Sequence, residues 1–411
     1  MTSAPPPIAS HNTANLAVDV AIFGGGVAGL WLLDALVRAG YHAILIEKNA
    51  LGHGQTVCAQ GIIHSGLKYT LKGGMTGSAQ AIREMPALWR RCLNGEDQPD
   101  LRGTNIRSDY CLLWRTHSLT SKLGMVGARA GLKVKPIKLT GDDIPEPLRA
   151  CPGGVFRLDE QVIAPESMLD VLLQRHRERI ICADIEAFEV VDNRVISFEL
   201  HDQRIRPAHV VITAGAGNAA LRSAIGLPNG TMQRRPLHMV MMRSPSLPLL
   251  QGHCVDGAKT RATITSDRDA DGRVVWQVGG QISEDGVGME RDELLAFAKR
   301  EVAAVLPGLD LEGVEWASYR VDRAEQQMPG NKRPEHCAVL EEGNVLTCWP
   351  TKLALAPILA ADIIQRLPAP AQQQSGAGVS AAESLDAVAK MPRPAVAPPP
   401  WETTDAWTRN P

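Results

Sequence analysis

The stretch VDVAIFGGGVAGLWLLDALVRAGYHAILIE, residues 18–47, decides the fold. It opens with a short apolar run, which is typical of a central parallel strand. A glycine turn at Gly24, Gly26 and Gly29 follows, apolar residues then recur at helical spacing, and a second apolar run ends at Glu47. The order of strand, glycine turn, helix, strand and acid predicts a βαβ unit of a Rossmann-type α/β domain.

The three glycines have separate physical roles in such a turn. Gly24 lets the chain turn tightly, Gly26 lets the backbone approach a pyrophosphate, and Gly29 lets the helix pack closely on the strand. Glu47 stands 21 residues after Gly26, where a carboxylate can accept both ribose hydroxyls and would repel the extra phosphate of an NADP-type ligand. The segment predicts FAD or NAD as the ligand. The competing interpretation is an ordinary βαβ unit whose glycines serve only packing.

Composition bounds the class of protein. The 411 residues are 44% hydrophobic, which suffices for a large core and two domains. With 43 basic and 45 acidic side chains the formal net charge is -2, so we expect no nucleic-acid partner. Eight scattered cysteines without a CxxC pair predict reduced thiols and no metal site. No export signal and no run of about 18 apolar residues is present, so we expect a cytoplasmic protein without an integral membrane segment, for which peripheral membrane contact stays open.

The chain divides by composition into a leader, a body and a tail. Residues 1–16 carry three consecutive prolines and predict a flexible leader. Residues 368–411 are rich in proline, alanine, glutamine and serine and predict a disordered tail. Trp401 and Trp407 are unusual for disorder, which leaves a partner-docking peptide as the alternative. The folded body then covers residues 17–367.

Strand signals predict that the body contains two domains. An apolar run at residues 209–213 leads into Gly215 and a helix, and a further strand, turn and helix occupy residues 344–366. Both would extend the first βαβ unit, next to a β-hairpin at residues 187–198. Alternating residues within 234–279 predict an antiparallel sheet inserted as a second layer. The predicted dinucleotide domain comprises residues 17–90, 151–230 and 335–367, and the predicted substrate domain comprises residues 91–150 and 231–334.

Three patches carry a family resemblance. The layout, with Gly215 in TAGAG after the late strand, resembles the flavoprotein superfamily of D-amino-acid oxidase and FAD-dependent glycerol-3-phosphate dehydrogenase. The stretch IHSGLKY, residues 63–69, resembles the His-Gly-Gly-Leu-Arg-Tyr segment of the latter enzymes and the Ile-His-x-Gly-x-Tyr-Tyr segment of L-2-hydroxyglutarate dehydrogenases. Thr351, Lys352 and Leu353 resemble the Gly-Lys-Leu-Thr turn that glycerol-3-phosphate dehydrogenases place against the flavin. The resemblance implies FAD as cofactor, a glutathione-reductase-like two-domain flavoprotein, and oxidation of a secondary alcohol on an anionic molecule.

The IHSGLKY segment supplies the first catalytic candidates. When a flavin oxidises an alcohol or amine, a base takes the proton of the heteroatom. His64 is the candidate base because its ordinary pKa of about 6.5 lets it take a proton near neutrality. A structural histidine is the competing interpretation. Lys68 and Tyr69 are candidates for the anionic end of the substrate, although the glycerol-phosphate family has arginine in place of Lys68, and a lysine does not grip an anion bidentately.

Arg320 and Arg323 are the remaining candidates for binding the anionic end of the substrate, and Arg320 is the one that a motif favours. It follows Trp316-Ala317-Ser318-Tyr319, which resembles the Trp-Ala-Gly-x-Arg stretch that places a substrate-gripping arginine in this superfamily. A guanidinium there would orient the substrate with two parallel hydrogen bonds. A surface ion pair with Asp322 or Glu325 is the competing interpretation.

Further residues are expected to contact the cofactor. A helix starting near Thr351 would aim free amides at the pyrimidine end of the flavin, and Lys352, followed by Leu353, would add a positive charge there. Lys48 and His53 follow the second strand and are expected beside the dinucleotide.

The resulting prediction is an FAD-dependent oxidoreductase that transfers a hydride from a small anionic hydroxy substrate, either a 2-hydroxy acid or a glycerol-3-phosphate-like molecule, to flavin. An FAD-dependent amine or amino-acid oxidase is the first alternative, because it shares the fold and the hydride step. A flavin-binding scaffold with a partner-docking tail is the second. The electron acceptor, whether oxygen, a quinone or a protein, stays open.

Overall fold

A computed structural model describes residues 15–66, 77–116, 136–185, 187–256, 259–370, 381–409 and 411. The strands are β1 (Asn15–Phe23), β2 (Ala43–Glu47), β3 (Ile106–Ser108), β4 (Cys111–Arg115), β5 (Ile137–Lys138), β6 (Phe156–Leu158), β7 (Val162–Ile163), β8 (Ile180–Cys182), β9 (Phe188–Val191), β10 (Arg194–Leu200), β11 (Gln203–Ile212), β12 (Met232–Ser244), β13 (Gly252–Asp256), β14 (Lys259–Arg268), β15 (Val274–Gly279), β16 (Glu315–Gln326), β17 (Ala338–Glu342) and β18 (Val345–Trp349). The α-helices are α1 (Val27–Arg38), α2 (Gly77–Leu93), α3 (Pro165–Arg175), α4 (Asn218–Ile225), α5 (Gln281–Asp285), α6 (Arg291–Val305), α7 (Ala356–Arg366), α8 (Ala381–Ala389) and α9 (Pro400–Thr403).

The first sheet has the strand order β17-β18-β11-β1-β2-β8, and the hairpin β9-β10 joins it through β11. β1 lies between β2 and β11 and runs parallel to both, so both of its edges are hydrogen-bonded to neighbouring strands. Its two faces are covered by other elements of the protein. Alternate β1 residues therefore face different layers. Val20 and Ile22 pack with α1, α3 and α7, whereas Ala21 and Phe23 pack with the hairpin and α8. This continuous burial explains why β1 is apolar at every position from Val20 to Phe23.

The second sheet is mixed and has the strand order β16-β12-β15-β14-β13-β4-β6-β5. The long strands β12 and β16 pair antiparallel over twelve residues, from Met232 with Gln326 to Arg243 with Glu315. One face of this sheet is covered by α6, whose Leu295 and Ala298 are buried in the same cluster as Trp276 of β15. The α/β fold with a second, inserted layer is the architecture predicted from the sequence, and that layer is antiparallel except for the parallel pair of β4 and β13.

The boundary between the two predicted domains differs in one place. The β6 strand, placed by the sequence prediction in the dinucleotide domain, pairs with β4 and β5 and belongs to the second sheet. The strand is only three residues long, which is too short to show an alternation of apolar and polar residues. Its position is set by its hydrogen bonds to β4. The following strand, β7, pairs with β3 in a small ribbon beside the second sheet.

The C-terminal segment also differs from the prediction. Residues 381–409 include α8 and α9 and pack on the body, so the expectation of a disordered tail is wrong for this part. Val396 bridges to Leu51, and Thr408 bridges to Trp316 of β16. Trp401 is only 4% exposed and packs in a cluster of the second sheet. Ordering this segment costs conformational entropy, and a composition rich in proline and alanine offers few large apolar side chains to offset that cost. Burial of the Trp401 ring supplies the offsetting free energy.

Two other expectations concern the ends of the chain and the membrane. Most of the predicted leader, residues 1–14, lies outside the described residues, while Asn15 and Leu16 already belong to β1 rather than to a leader. Among the helices of the described ranges, none combines the length and apolar character needed to cross a bilayer.

Candidate active site

The glycine turn between β1 and α1 has the steric properties expected of a nucleotide cradle. Gly24 has a φ of +109°, and a Cβ atom there would collide with the backbone of Ala214 at the end of β11. A Cβ atom at Gly29 would collide with the carbonyl oxygen of Gly24 and lie 2.8 Å from Thr213 Oγ1. Gly26 is the N-cap of α1 and brings no capping side chain. The turn is thus open to a ligand and closed to larger residues.

Glu47 lies directly beside this turn. Its Oε2 atom accepts a hydrogen bond of 2.7 Å from the Gly25 amide, and its Oε1 atom accepts one of 2.9 Å from the Asn49 amide. The carboxylate is therefore fixed at the carboxyl end of β2, where an acid would meet the ribose of an adenine dinucleotide. Lys48 forms an exposed 3.5 Å ion pair with Asp184, and His53 is exposed, so the structure gives neither an evident ligand contact.

The turn before α7 supplies a third piece. Thr351 has a φ of +61°, is 5% exposed, and its Oγ1 atom has no hydrogen-bond partner in the described structure. Lys352 is the N-cap residue of a short 3₁₀ turn, Leu353–Leu355, that continues into α7. Gly215 has a φ of +56° and faces open space. A buried, unsatisfied hydroxyl beside a helix start fits a polar ligand at this place, as a flavin ring would provide.

A cavity lies where the two sheets meet. Its lining combines the turn that bears Lys352, the segment that bears His64, and strands of the second sheet. The lining residues are His64, Gly66, Glu160, His253, Thr260, Arg333 and Lys352.

Glu160 is the centre of the polar contacts in this cavity. It is 1% exposed and sits between β6 and β7. Its Oε1 atom accepts hydrogen bonds of 2.7 Å from both the backbone amide and the hydroxyl of Ser65. Its Oε2 atom lies 3.3 Å from His253 Nε2 and 3.8 Å from His64 Nδ1. His253 Nδ1 in turn lies 3.1 Å from Thr263 Oγ1, so one carboxylate connects two imidazoles.

The pKa values of this cluster define its charge. Burial by itself would raise the pKa of Glu160, but His253 and His64 hold it well below its ordinary value. Burial lowers the pKa of His64 to about 4, with smaller contributions in the same direction from Lys352 and His253, and Glu160 opposes the shift. Although 31% of the His64 side chain is exposed, its ring is desolvated enough for this effect. Near neutral pH the cavity holds a neutral His64 beside an ionised carboxylate.

The structure brings together His64 and Lys352, as the sequence predicts, but it does not bring Arg320 to them. Arg320 is exposed on β16 and donates hydrogen bonds of 2.8 and 2.9 Å to the carbonyls of Val287 and Met289. The prediction that it grips the substrate is not supported, because its guanidinium is engaged by main-chain oxygens and does not line the cavity. The cavity instead contains Arg333. Arg323 forms a 3.2 Å ion pair with Glu284 and is not among the residues that line the cavity, and two further candidates for this role, Lys68 and Tyr69, lie outside the described residues.

The cradle and the cavity are the two parts of a two-domain flavoprotein, and comparisons with known proteins give the family. The model of the DAO family, FAD dependent oxidoreductase, matches residues 19–344. The chain is 40% identical over 397 residues to the probable FAD-dependent oxidoreductase PA4991 of Pseudomonas aeruginosa, covering 95% of this chain and 99% of that protein. The chain belongs to the DAO family, and it is an FAD-dependent oxidoreductase.

Solved structures extend this result. The crystal structure of PA4991 superposes with a TM-score of 0.79 at 35% identity and covers 94% of this chain and 98% of that chain. Glycine oxidase from Geobacillus kaustophilus superposes with a TM-score of 0.62 at 18% identity, and the match covers 88% of this chain and 100% of that chain. L-α-glycerophosphate oxidase from Mycoplasma pneumoniae, solved with FAD bound, superposes with a TM-score of 0.61 at 14% identity. The match covers 87% of this chain and 97% of that chain. The last two show the shared fold. FAD is accordingly the cofactor of this family, and the geometry of the glycine turn, Glu47 and the Thr351 turn is compatible with their predicted role in binding it.

Proposed function

We propose that this flavoprotein oxidises a small anionic hydroxy compound, either a 2-hydroxy acid or a glycerol-3-phosphate-like molecule, with His64 as the base. One observation carries the proposal. A neutral histidine lies beside a buried carboxylate in the same cavity as two cationic side chains, Arg333 and Lys352. The histidine and carboxylate suit removal of a proton, and the cations suit an anionic group.

Whether the substrate must lose a proton when it is oxidised determines which class of substrate suits the cavity. Oxidation of an alcohol removes a hydride from carbon and a proton from the hydroxyl, and FAD, when bound, supplies the hydride acceptor. A neutral imidazole at His64 can take the hydroxyl proton, and the Glu160 carboxylate stabilises the imidazolium that results. An amine can enter as the free base and leave as an iminium without losing a proton in the hydride step. The paired His64 and Glu160 therefore favour the alcohol.

The anionic group of the substrate would be bound by Arg333 and Lys352. Among the described residues, no carboxylate forms an ion pair with Arg333, whereas many other arginines of the protein are so paired. A guanidinium presents parallel donors to a carboxylate or phosphate, and Lys352 adds a charge close enough to lower the pKa of His64. Thr260 offers a hydroxyl from β14 on the same cavity.

An amino-acid substrate is the second candidate. Several proteins of similar fold are named glycine oxidase, L-proline dehydrogenase and L-amino acid deaminase. The Glu160 carboxylate could also attract an ammonium group. The scaffold alternative has lost the feature that motivated it, because Trp401 is buried in the protein's own fold.

Anaerobic flavin bleaching separates the two substrate classes. Purified holoenzyme is mixed without oxygen with glycerol 3-phosphate, with each enantiomer of 2-hydroxyglutarate and of lactate, and with glycine and L-proline. We expect at least one hydroxy compound to bleach the flavin faster than any amino acid. Preferential bleaching by an amino acid would reject the proposal in favour of the second candidate.

Two matched variants then test the base. His64→Asn should slow bleaching by roughly 10²–10⁴-fold without changing the flavin content, the usual contribution of a positioned base. His201→Asn is the control, because His201 is exposed in the turn after β10. Equal rates in the two variants would remove His64 from the mechanism.

A further inference from the structure

Glu160 is held by groups from two distant parts of the chain. The hydrogen-bond donors on its Oε1 atom come from Ser65, next to the candidate base. The groups that face its Oε2 atom are the rings of His64 and of His253, and the latter belongs to β13 of the second sheet. A carboxylate that is 1% exposed and contacted both by the segment that bears His64 and by the second sheet has little freedom to move.

The two oxygens of Glu160 are not equivalent. Two short hydrogen bonds from Ser65 fix Oε1. Oε2 accepts from His253 Nε2, since an ionised carboxylate cannot donate, and Thr263 Oγ1 can then donate to Nδ1 of the same ring. His253 is thereby anchored on both sides. At 3.8 Å, His64 Nδ1 is beyond hydrogen-bond distance from Oε2, so its coupling to the carboxylate is electrostatic.

We propose that Glu160 is a positioning residue that selects the Nδ1–H tautomer of His64 and so leaves Nε2 as the proton-accepting nitrogen. The reason is that an Nδ1 lone pair facing Oε2 would be repelled, whereas an Nδ1–H is attracted. The proposal deepens the proposed function, on which it rests for the proton that Nε2 receives. The tautomer itself is a property of the enzyme without substrate.

The same contact stabilises His64 once it is protonated. The proton leaves the substrate hydroxyl and bonds to Nε2, and the resulting imidazolium keeps its Nδ1–H directed at the carboxylate. The charged or titratable groups that bear on His64 are Glu160, His253 and Lys352, with Arg333 on the same cavity. Glu160 is the anion among them, so replacing it with a neutral residue makes protonation of His64 harder.

Nitrogen NMR of the holoenzyme, labelled with ¹⁵N in its histidine rings, tests the proposal without any substrate. The His64 signals are assigned by their loss in His64→Asn. In the unmodified protein at neutral pH we expect a neutral His64 that is protonated predominantly at Nδ1. A predominantly Nε2-protonated ring, or an imidazolium, would overturn the proposal. Because no turnover is measured, this result is independent of whether a hydroxy compound reduces the flavin.

Variants of Glu160 provide a second test of the proposal. In Glu160→Gln we expect the Nδ1–H form to lose its predominance and the midpoint of His64 protonation to shift below its value of about 4. Glu160→Asp, which keeps the charge, should restore part of both properties. Glu325→Gln is the matched control, since Glu325 is a fully buried carboxylate bound to Arg235, away from the cavity lining. An unchanged tautomer in Glu160→Gln, or the same change in Glu325→Gln, would contradict the proposal.

Discussion

Replacing Trp401 with alanine tests the packing of the C-terminal segment on the second sheet. The ring is 4% exposed, packs with Met241, Val275 and Ala317, and lies 5.3 Å from the guanidinium of Arg107. Truncation of a buried tryptophan costs about 3–5 kcal/mol, and loss of the cation–π contact accounts for about 0.5–1 kcal/mol of that. We therefore expect Trp401→Ala to weaken the docking of this segment by about 3–5 kcal/mol.

Hydrogen exchange measures this loss where it occurs. The amides of Trp316 and Thr408 donate to each other's carbonyls at 2.7 and 2.9 Å, so their protection reports whether the segment is docked. A loss of 3–5 kcal/mol corresponds to roughly a hundredfold to a few thousandfold faster exchange at Thr408 if the segment opens locally. Trp407→Ala should have a smaller effect, because that ring is only half-buried, and Leu249→Ala, at a 55% exposed position, should have almost none. Exchange at Thr408 that changes less than about threefold in Trp401→Ala would refute the packing argument.

Three further predictions concern the cofactor and the cavity. Gly29→Ala should yield protein with little bound FAD, measured as the flavin-to-protein absorbance ratio, because its Cβ would collide with the Gly24 carbonyl; full occupancy would contradict the cradle. Arg333→Ala should raise the KM for the anionic substrate by roughly 10–150-fold with little change in kcat, as loss of a charged hydrogen bond does; a change in kcat alone would contradict anion binding. The rate of flavin reduction at limiting substrate, which reports the free enzyme, should be level from pH 6 to 8 and fall about tenfold per unit below about 4, because His64 is then protonated. A midpoint near 6.5 would contradict the desolvation of its ring.

The first βαβ unit could be predicted because its constraints are local. Gly24, Gly26 and Gly29 stand at fixed spacing in one turn, although the space at Gly24 is limited by the distant Ala214, and the apolar run of β1 reflects burial on both faces of a parallel strand. The docked C-terminal segment could not be predicted in this way. Its composition is that of a disordered chain, and its order depends on contacts with residues such as Leu51 and Trp316, far away in the sequence.

The candidate site also combines residues that short motifs indicate with residues that only the tertiary structure brings together. His64 and Lys352 stand in short motifs and could be predicted as candidates from the sequence, whereas Glu160, His253 and Arg333 have no sequence pattern that marks them. Glu160 lies in a three-residue loop between strands too short to show periodicity. Only the pairing of β6 with β4, and of β4 with β13, brings it to His253. The prediction for Arg320 lacks support for the complementary reason, since a matching local motif does not determine which groups surround its guanidinium.

The weak basicity of His64 is compatible with its proposed role. A base whose pKa is about 4 could not deprotonate an alcohol in its ground state to any useful extent. As the hydride leaves carbon, however, the hydroxyl takes on the character of a protonated carbonyl, which is a strong acid, and a weak base then suffices. The low pKa also keeps the ring neutral throughout the physiological pH range, so that nearly every enzyme molecule is competent. Lys352, which lowers the pKa of His64, would bind the substrate anion together with Arg333, and the charge of the anion would then partly cancel that of Lys352 and make His64 a stronger base when substrate is present.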